Sequence, residues 1–198
     1  MPQPIQILSV NRALVSEVLI NGRRVRSAIG KRPVAGAVAV RRMGLEGDEQ
    51  ADLSVHGGLS KAVYAYPSEH LPFWRTVRAQ AQVGLWDDPV PPGLMGENLT
   101  LAGITEDRLW VGDQLFIGGS ADAPGCVLAV SEPRFPCFKF DAALGFRHAS
   151  KMMVQSGYCG SYLGVILPGV VCAGDSVVLQ PGPREVNLRD LFKSRARA

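Results

Sequence analysis

Short apolar runs separated by polar turns recur along most of the chain, and their spacing is typical of β-strands. Glycine or asparagine stands in many of the turns between them, and only two stretches before the C-terminal tail show helical spacing. The predicted strands cover residues 5–10, 15–20, 23–29, 34–40, 63–66, 127–130, 162–166, 170–172 and 176–180, with bent strands within 106–117. This pattern predicts a mainly β barrel or sandwich.

One turn is specific enough to predict a hairpin. Asn21 and Gly22 separate the apolar run 15–20 from the run 23–29. An Asn-Gly pair between two such runs favours a two-residue turn, because both residues tolerate positive φ. We therefore expect residues 15–29 to fold back on themselves.

Helices are predicted in two places before a helical tail. The first begins near Ser68, a candidate N-cap, with Pro72 tolerated in its first turn. Its predicted buried face holds Phe73, Trp74 and Val77, whereas His70 and Arg75 are expected on the surface. Residues 140–155 predict one or two short helices, and residues 189–197 predict a short exposed or swapped helix.

The composition is that of an ordinary folded protein, with 46% hydrophobic and 20% charged residues among 198. This length suits one domain with a buried core, and we assign residues 1–181 to it. Residues 182–198 are predicted to be a C-terminal tail that forms a short helix or is partly disordered. No apolar run is long enough to span a membrane, and the start does not resemble a secretory signal, so we expect a cytoplasmic protein.

Basic residues are concentrated in residues 21–42, where no acidic residue occurs. Such a run attracts phosphate, nucleic acid or an anionic cofactor, but it is also typical of the solvated face of a hairpin. We favour the solvated face over nucleic acid, because no aromatic residues interleave as a stacking platform would need. The run contains Arg23, Arg24, Arg26, Lys31, Arg32, Arg41 and Arg42.

Four cysteines are too few and too irregularly spaced for a disulfide framework or a paired zinc site. Cys126 and Cys172 stand in apolar runs typical of a core, and Cys159 remains open. Cys137 differs, because it follows Pro136 in a stiff segment between two cations.

The segment 131–139 places Arg134 and Lys139 on either side of that thiol. Nearby cations favour the thiolate, the form that attacks electrophiles or binds soft metals. A buried structural cysteine and a functional thiolate remain equal alternatives on the residues alone.

Two glycine-marked polar segments are further candidates for ligand contact. The first carries His56, Gly57 and Lys61, and the second carries Asn98. An esterase oxyanion loop at residues 56–58 is excluded, because the Gly-x-Ser-x-Gly elbow that it requires is absent from the sequence.

Taken in order along the chain, these motifs resemble the MOSC domain family, specifically its small YiiM-like branch. Each motif alone is weak, but the ordered set is specific. The set comprises residues 47–52, 56–58, 61–62, 96–99, 112–113, 133–134 and 136–137, Gly157, Gly160, Tyr162 and residues 174–175.

The resemblance implies a β-barrel-like fold and a functional cysteine, which falls on Cys137 as a molybdenum ligand. It implies the molybdenum cofactor (molybdopterin) as the bound group, and pyridoxal phosphate is not expected. We expect His56 to donate to an oxo group or to move a proton, although loop stabilisation is an equal alternative for it and for Asn98. The candidate cofactor-binding residues are Lys61, Asn98, Arg134, Gly57, Gly160 and Tyr162.

The implied reaction is reduction of small N-hydroxylated compounds, such as hydroxylaminopurine bases, with electrons from an external reductase. No flavin or nicotinamide fingerprint occurs in the sequence. Longer family members carry a further three-helix C-terminal domain, for which the chain to residue 198 has no room. Two other hypotheses stay open: persulfide sulfur transfer through Cys137, and non-catalytic delivery of the cofactor.

Overall fold

The computed structural model describes residues 4–53, 56–119 and 124–196, and its β-structure consists of thirteen strands. The strands are β1 (Ile5–Arg12), β2 (Ser16–Ile20), β3 (Arg23–Ser27), β4 (Arg32–Pro33), β5 (Val38–Arg41), β6 (Gly44–Leu45), β7 (Val63–Pro67), β8 (Leu99–Ala102), β9 (Gln114–Gly119), β10 (Pro124–Pro133), β11 (Ser161–Leu167), β12 (Gly169–Val171) and β13 (Ser176–Gln180). Four helices accompany them in the same residues: α1 (Leu71–Gln80), α2 (Phe138–Leu144), α3 (Ala149–Ser156) and α4 (Leu188–Arg195). The prediction of a mainly β protein with a few short helices is confirmed.

Seven strands close into a barrel in the order β13-β9-β10-β11-β7-β8-β1. The barrel closes because β1 pairs with β13, with Ile5 opposite Val177 and Gln6 opposite Ser176. The β7–β8 pair is parallel, and the other pairs in the barrel are antiparallel. Closure pairs the strand edges that an open sheet would expose. The barrel therefore provides a rigid base for the loops that follow its strands.

Strand β7 shows how side-chain alternation connects the barrel to the helices. Val63 and Ala65 belong to the apolar core of the barrel. Tyr64 and Tyr66 belong to a second apolar cluster. Successive side chains of a strand point to opposite faces, so this strand is buried on both sides.

The second cluster collects one large buried side chain from each helix. Trp74 of α1, Phe140 of α2, Met153 of α3 and Phe192 of α4 are all fully buried. Burying a side chain of this size stabilises the fold by about 1.5–3 kcal/mol relative to leaving it exposed. The cluster thus fixes α2, and with it the segment that carries Cys137.

The predicted hairpin is confirmed as β2 and β3. Asn21 has φ +51° and Gly22 has φ +77°, the left-handed pair that a tight hairpin turn requires. Ile20 lies opposite Arg23, and the two strands form a separate two-stranded sheet. The Lys139 ammonium donates to the Arg26 carbonyl at 2.8 Å and so links the hairpin to α2.

Two local predictions are wrong. The predicted strand at 34–40 is formed only from Val38 onward, as part of β5, because Gly36 takes φ +76° before it. Ser68 does not cap α1, because a 3₁₀ turn starts at Ser68 itself and leads directly into the helix.

His70 was expected on the surface, but it is 7% exposed. Its Nε2 lies 2.6 Å from the Glu106 carboxylate, and its ring stacks on Tyr158 at 3.8 Å between centroids. The carboxylate and the stacked ring supply the partners that a buried imidazole needs.

The C-terminal tail contains the predicted helix as α4, but it is not an exposed or swapped one. Leu188 and Phe192 are fully buried against the rest of this chain, and Phe192 stacks on Phe135 at 4.8 Å between ring centroids. Residues 1–3 of the predicted domain and 197–198 of the predicted tail lie outside the described part, and the division at residue 181 stays a prediction. Among the described residues, none of the helices has the length and apolar character needed to cross a bilayer.

Candidate functional site

A small cleft lies where the loop after β3, the polar loop after β6 and the segment before α2 meet the tyrosines of β7 and β11. Its enclosed volume is about 90 Å³. Six of the eight predicted site residues line it: His56, Lys61, Asn98, Arg134, Cys137 and Tyr162. Gly57 and Gly160 are not among the lining residues. The barrel thus gathers side chains that are far apart in the sequence.

Cys137 differs from the other cysteines in its surroundings. It is half-buried, extended at φ −127° and ψ 173°, and stands directly before α2. Cys126 and Cys159 are fully buried; burial raises the pKa of Cys126 to about 11 and that of Cys159 well above its ordinary value. Cys172 is half-buried but lies outside the cleft. Cys137 is therefore the cysteine placed to meet a ligand there.

Arg134 places a buried positive charge against the cleft. It is 4% exposed, and its guanidinium lies 4.6 Å from the Phe140 ring centroid and 5.3 Å from that of Tyr64. One of its nitrogens lies 3.6 Å from the Met153 sulfur. Within the described residues no carboxylate lies within 4.0 Å of the guanidinium. Burial of a charge with such weak partners is costly, so the site favours an incoming anion.

The Tyr162 hydroxyl connects Arg134 to His56. Burial raises the pKa of Tyr162, which the charge and hydrogen bond of Arg134 only partly offset, so the hydroxyl keeps its proton. The Tyr162 hydroxyl lies 3.1 Å from His56 Nδ1, and the tautomer of the imidazole decides which of the two groups donates. Tyr162 therefore lies between the Arg134 charge and the imidazole of His56.

His56 is neutral at neutral pH. Burial, followed by the charges of Arg134, Lys61 and Lys139, lowers the pKa of His56 from its ordinary 6.5 to about 4. The imidazole can donate a hydrogen bond through Nε2, but it does not carry a full extra proton near pH 7. Burial is thus the main cause of the neutral state of this histidine, and the cations of the cleft add to it.

Lys61 is held at the cleft by contacts on two sides. Its Nζ lies 3.7 Å from the Glu132 carboxylate and 5.8 Å from the centroid of the Tyr162 ring. The same Glu132 oxygen lies 3.9 Å from Arg195 at the end of α4. One carboxylate is therefore shared between a cleft cation and the C-terminal helix.

Asn98 is committed to the fold. It is 3% exposed, accepts from the Tyr64 amide at 3.0 Å and donates to Asp48 Oδ2 at 2.9 Å. Asp48 also accepts from the Ala13 amide and forms a buried ion pair with Lys31. Burial lowers the pKa of Lys31, while the charge of Asp48 and its hydrogen bond oppose that shift. These contacts brace the loop that carries Asp48 against β1 and β7.

Gly57 and Gly160 permit close packing behind the cleft. A Cβ on Gly57 would stand 2.4 Å from the Gln50 side-chain oxygen. A Cβ on Gly160 would stand 2.5 Å from the Ala65 carbonyl, and the residue has φ +68°. The Gly160 amide donates to Glu106 at 2.6 Å. Backbone atoms and positive φ thus require glycine at position 160, whereas at Gly57 the nearest atoms belong to movable side chains.

Sequence reasoning missed Lys31 and Tyr64 as lining residues. Tyr64 was visible only as an alternate position in the strand run 63–66, and Lys31 only as one of seven cations in the basic run. The signal that distinguishes them is burial against Asn98 and Asp48, which depends on contacts between distant segments. No local pattern encodes those contacts.

Comparison with known proteins gives a consistent result. The model of the MOSC domain matches residues 52–178. The uncharacterized protein YflK of Bacillus subtilis is 36% identical over 173 residues, which covers 87% of this chain and 72% of that protein. Protein YiiM of Escherichia coli is 36% identical over 165 residues, covering 83% of this chain and 68% of that protein.

A fungal protein and a crystal structure extend the comparison. A Gibberella moniliformis protein named "Reductase" is 32% identical over 198 residues, and the match covers 98% of this chain and 33% of that longer protein. The crystal structure of YiiM from Geobacillus stearothermophilus has a TM-score of 0.74 at 31% identity, covering 98% of this chain and 84% of that one.

Proposed function

The chain belongs to the MOSC domain family, and from that premise we propose that it binds the molybdenum cofactor at Cys137 and reduces N-hydroxylated compounds. The fungal relative named "Reductase" supports a reductive activity. The observation that supports this proposal most directly is that Cys137 and the buried Arg134 line the same cleft. A cysteine sulfur in the same cleft as a cation with no carboxylate partner in the described residues suits a thiophilic metal on an anionic organic group.

The residues of the cleft fit this cofactor chemically. Cys137 would provide the sulfur ligand, and Arg134 with Lys61 would provide positive charge for the phosphate. The contacts of Arg134 are aromatic rings, a thioether and a hydroxyl, so an arriving anion would compensate its charge. When bound, the cofactor would supply the metal that passes electron pairs to the substrate.

The proposed reaction converts R–NH–OH to R–NH2 and water and consumes two electrons and two protons, with the electrons coming from an external reductant. Lys61 and Arg134 would keep anionic groups oriented in the cleft. With its proton on Nε2 and Nδ1 accepting from Tyr162, His56 would donate a hydrogen bond to the hydroxyl oxygen as the N–O bond breaks. Because His56 is neutral, both protons would come from solvent, one for the amine nitrogen and one for the departing hydroxyl.

Metal content tests the proposal directly. The wild type, Cys137→Ser and the control Cys172→Ser are purified from a host that makes the cofactor, and molybdenum and pterin fluorescence are measured. We expect the wild type and Cys172→Ser to retain molybdenum, and Cys137→Ser to lose about tenfold or more of it. Hydroxylaminopurine reduction with a chemical reductant should follow the metal. Equal molybdenum in all three proteins would remove Cys137 as the ligand.

The accessible position of Cys137 favours persulfide transfer as a second candidate. This thiol is half-buried beside cations, whereas Cys126 and Cys159 are fully buried. Partly exposed thiolates near cations are the ones that accept a second sulfur. Sulfur released from Cys137 by a thiol, with no molybdenum in the wild type, would favour this candidate. Bound pterin without turnover would instead favour cofactor delivery.

A further inference from the structure

A second depression lies directly beside the cleft, between the β2–β3 hairpin and α2. We call it the apolar groove, and its volume is about 400 Å³. This volume lies in the range of about 300–1,000 Å³ that small-molecule sites occupy. Its side chains are mainly aliphatic, and those that define its walls are Val18, Leu19, Ile20, Leu94, Ala142 and Ala143.

The apolar groove is continuous with the cleft. Ile29, Lys31 and Lys139 line both spaces. The metal and the phosphate of the cofactor would occupy the cleft, whose volume is about 90 Å³, and so leave no room there for the body of a substrate. A ligand whose reacting end enters the cleft must therefore extend elsewhere, and the groove is the adjoining space.

The rim of the apolar groove is positively charged. Its charged lining residues among those described are Lys31, Arg32 and Lys139. Lys31 is paired with Asp48, whereas Lys139 donates to a backbone carbonyl and has no carboxylate within 4.0 Å in the described part of the chain. Arg32 is exposed at the outer end of β4. A ligand with an apolar body and an anionic group complements these walls and this rim.

We propose that the apolar groove binds the body of the substrate, an aromatic N-hydroxylated compound that carries a carboxylate at the end away from its N–OH group. This proposal rests on the proposed function of the cleft. An apolar ring suits the groove better than a pterin does, because the aliphatic walls offer a polar heterocycle few hydrogen bonds. The carboxylate would reach Arg32 or Lys139, and the N–OH group would enter the cleft.

The groove is tested with a matched pair of variants. Leu19 is 74% exposed at the groove, and Leu85 is 72% exposed outside it, so Leu19→Asp and Leu85→Asp make the same change with small effects on folding. Each protein is loaded with cofactor and assayed with 4-carboxyphenylhydroxylamine and with N-methylhydroxylamine. The second compound has no body to fill the groove.

We expect Leu19→Asp to raise the KM for 4-carboxyphenylhydroxylamine about tenfold and to retain kcat. The lost groove contact stabilises the bound substrate and the transition state equally, so its loss weakens binding without slowing the bound complex. The KM for N-methylhydroxylamine should stay unchanged, and Leu85→Asp should match the wild type with both. An equal change for both substrates, no change for either, or a lower molybdenum content in Leu19→Asp would overturn the proposal.

Arg32→Gln tests the carboxylate separately. It should raise the KM for 4-carboxyphenylhydroxylamine but leave that for phenylhydroxylamine unchanged, because the latter lacks the anion. An equal effect on the two compounds would refute the anionic end of the ligand.

A binding measurement separates failure of the groove from failure of the proposed function. The metal-free proteins are titrated with 8-anilino-1-naphthalenesulfonate, an apolar anionic fluorophore. One site that is weakened in Leu19→Asp and in Arg32→Gln but kept in Leu85→Asp supports the groove, even if the wild type reduces no hydroxylamine. Identical binding in all four proteins counts against it, even if the wild type is an active reductase.

Discussion

At the scale of single residues, the cleft is organised by one buried cation. Arg134 acts on the Tyr162 hydroxyl through its charge and a hydrogen bond, and that hydroxyl lies 3.1 Å from His56 Nδ1. The positive field of Arg134, Lys61 and Lys139 then adds to burial in keeping His56 unprotonated. A histidine that looks like a proton carrier in the sequence is thereby a hydrogen-bond donor in the fold.

The low pKa of His56 predicts a pH-dependent contribution to stability. Its pKa falls from 6.5 to about 4 on folding, so between these values the unfolded chain binds more protons than the native protein. The free energy of unfolding should therefore decrease as pH falls from 7 to 5. In His56→Gln this component is absent, so the stability advantage of wild type over variant should shrink across the same interval.

Urea unfolding at pH 7, 6 and 5 measures that difference. His148→Asn is the control, because His148 is exposed and asparagine tolerates its φ of +75°. A constant gap between wild type and His56→Gln at all three pH values would contradict the shifted pKa.

Sequence reasoning identified those cleft-lining residues whose neighbours along the chain are chemically distinctive. Cys137 and Arg134 were identified from their proline-rich segment, and both line the cleft. The contact of Gly160 with cofactor stays a prediction, and in the structure its missing side chain makes room for the Ala65 carbonyl. The requirement for glycine is visible in the sequence, whereas the atom that imposes it lies on another strand.

At the scale of elements, the sequence predicted the structure correctly where a single turn determines how two strands pair. Asn21 and Gly22 supplied the backbone conformation of the β2–β3 hairpin by themselves. The run 34–40 forms a strand only from Val38 onward, as β5 on β12, because Gly36 takes φ +76° before it. A continuous apolar pattern does not reveal where within it the strand begins.

Helix α4 is stabilised at its start by Asn187, the residue directly before it. The Asn187 side chain accepts from the Arg189 and Asp190 amides and donates to the Asp107 and Leu109 carbonyls. Asn187→Ala should lower the free energy of unfolding by about 1–2 kcal/mol, because the cap and its link to the barrel are lost together.

Chemical denaturation compares this variant with Ser194→Ala on the same helix, where only an exposed bond to the Leu191 carbonyl is removed. The control should change stability by less than about 0.5 kcal/mol. Equal losses in the two variants would show that the cap contributes nothing specific.

At the scale of the whole molecule, barrel closure divides the chain into parts of unequal stability. The seven barrel strands share one continuous hydrogen-bonded ladder, whereas β2 and β3 pair only with each other in the described structure. Closure joins β1 to β13 across most of the sequence, and no local pattern specifies that pairing. The strand pattern alone therefore predicted a barrel or sandwich, whereas the resemblance to the MOSC domain family predicted the barrel, which is confirmed.

Amide hydrogen exchange should reveal this division. Isolated two-stranded hairpins are marginally stable, so we expect peptides from residues 16–27 to exchange much faster than peptides from β7, β10 and β11. Ligand bound in the apolar groove should slow exchange in the hairpin, because it packs against β2. Hairpin protection equal to that of the barrel strands without ligand would show that the hairpin is not a separate unit.

The carboxylate of Glu132 lies between two cations that belong to different parts of the molecule, Lys61 at the cleft and Arg195 on α4. The two cations compete for this carboxylate, so moving Arg195 away strengthens its interaction with Lys61. Binding of a partner to the C-terminal helix, or a fusion attached behind it, would then alter the electrostatic potential that an anion meets at the cleft. The surface of α4 is thus a place from which affinity at a distant site can be adjusted without contact with the ligand.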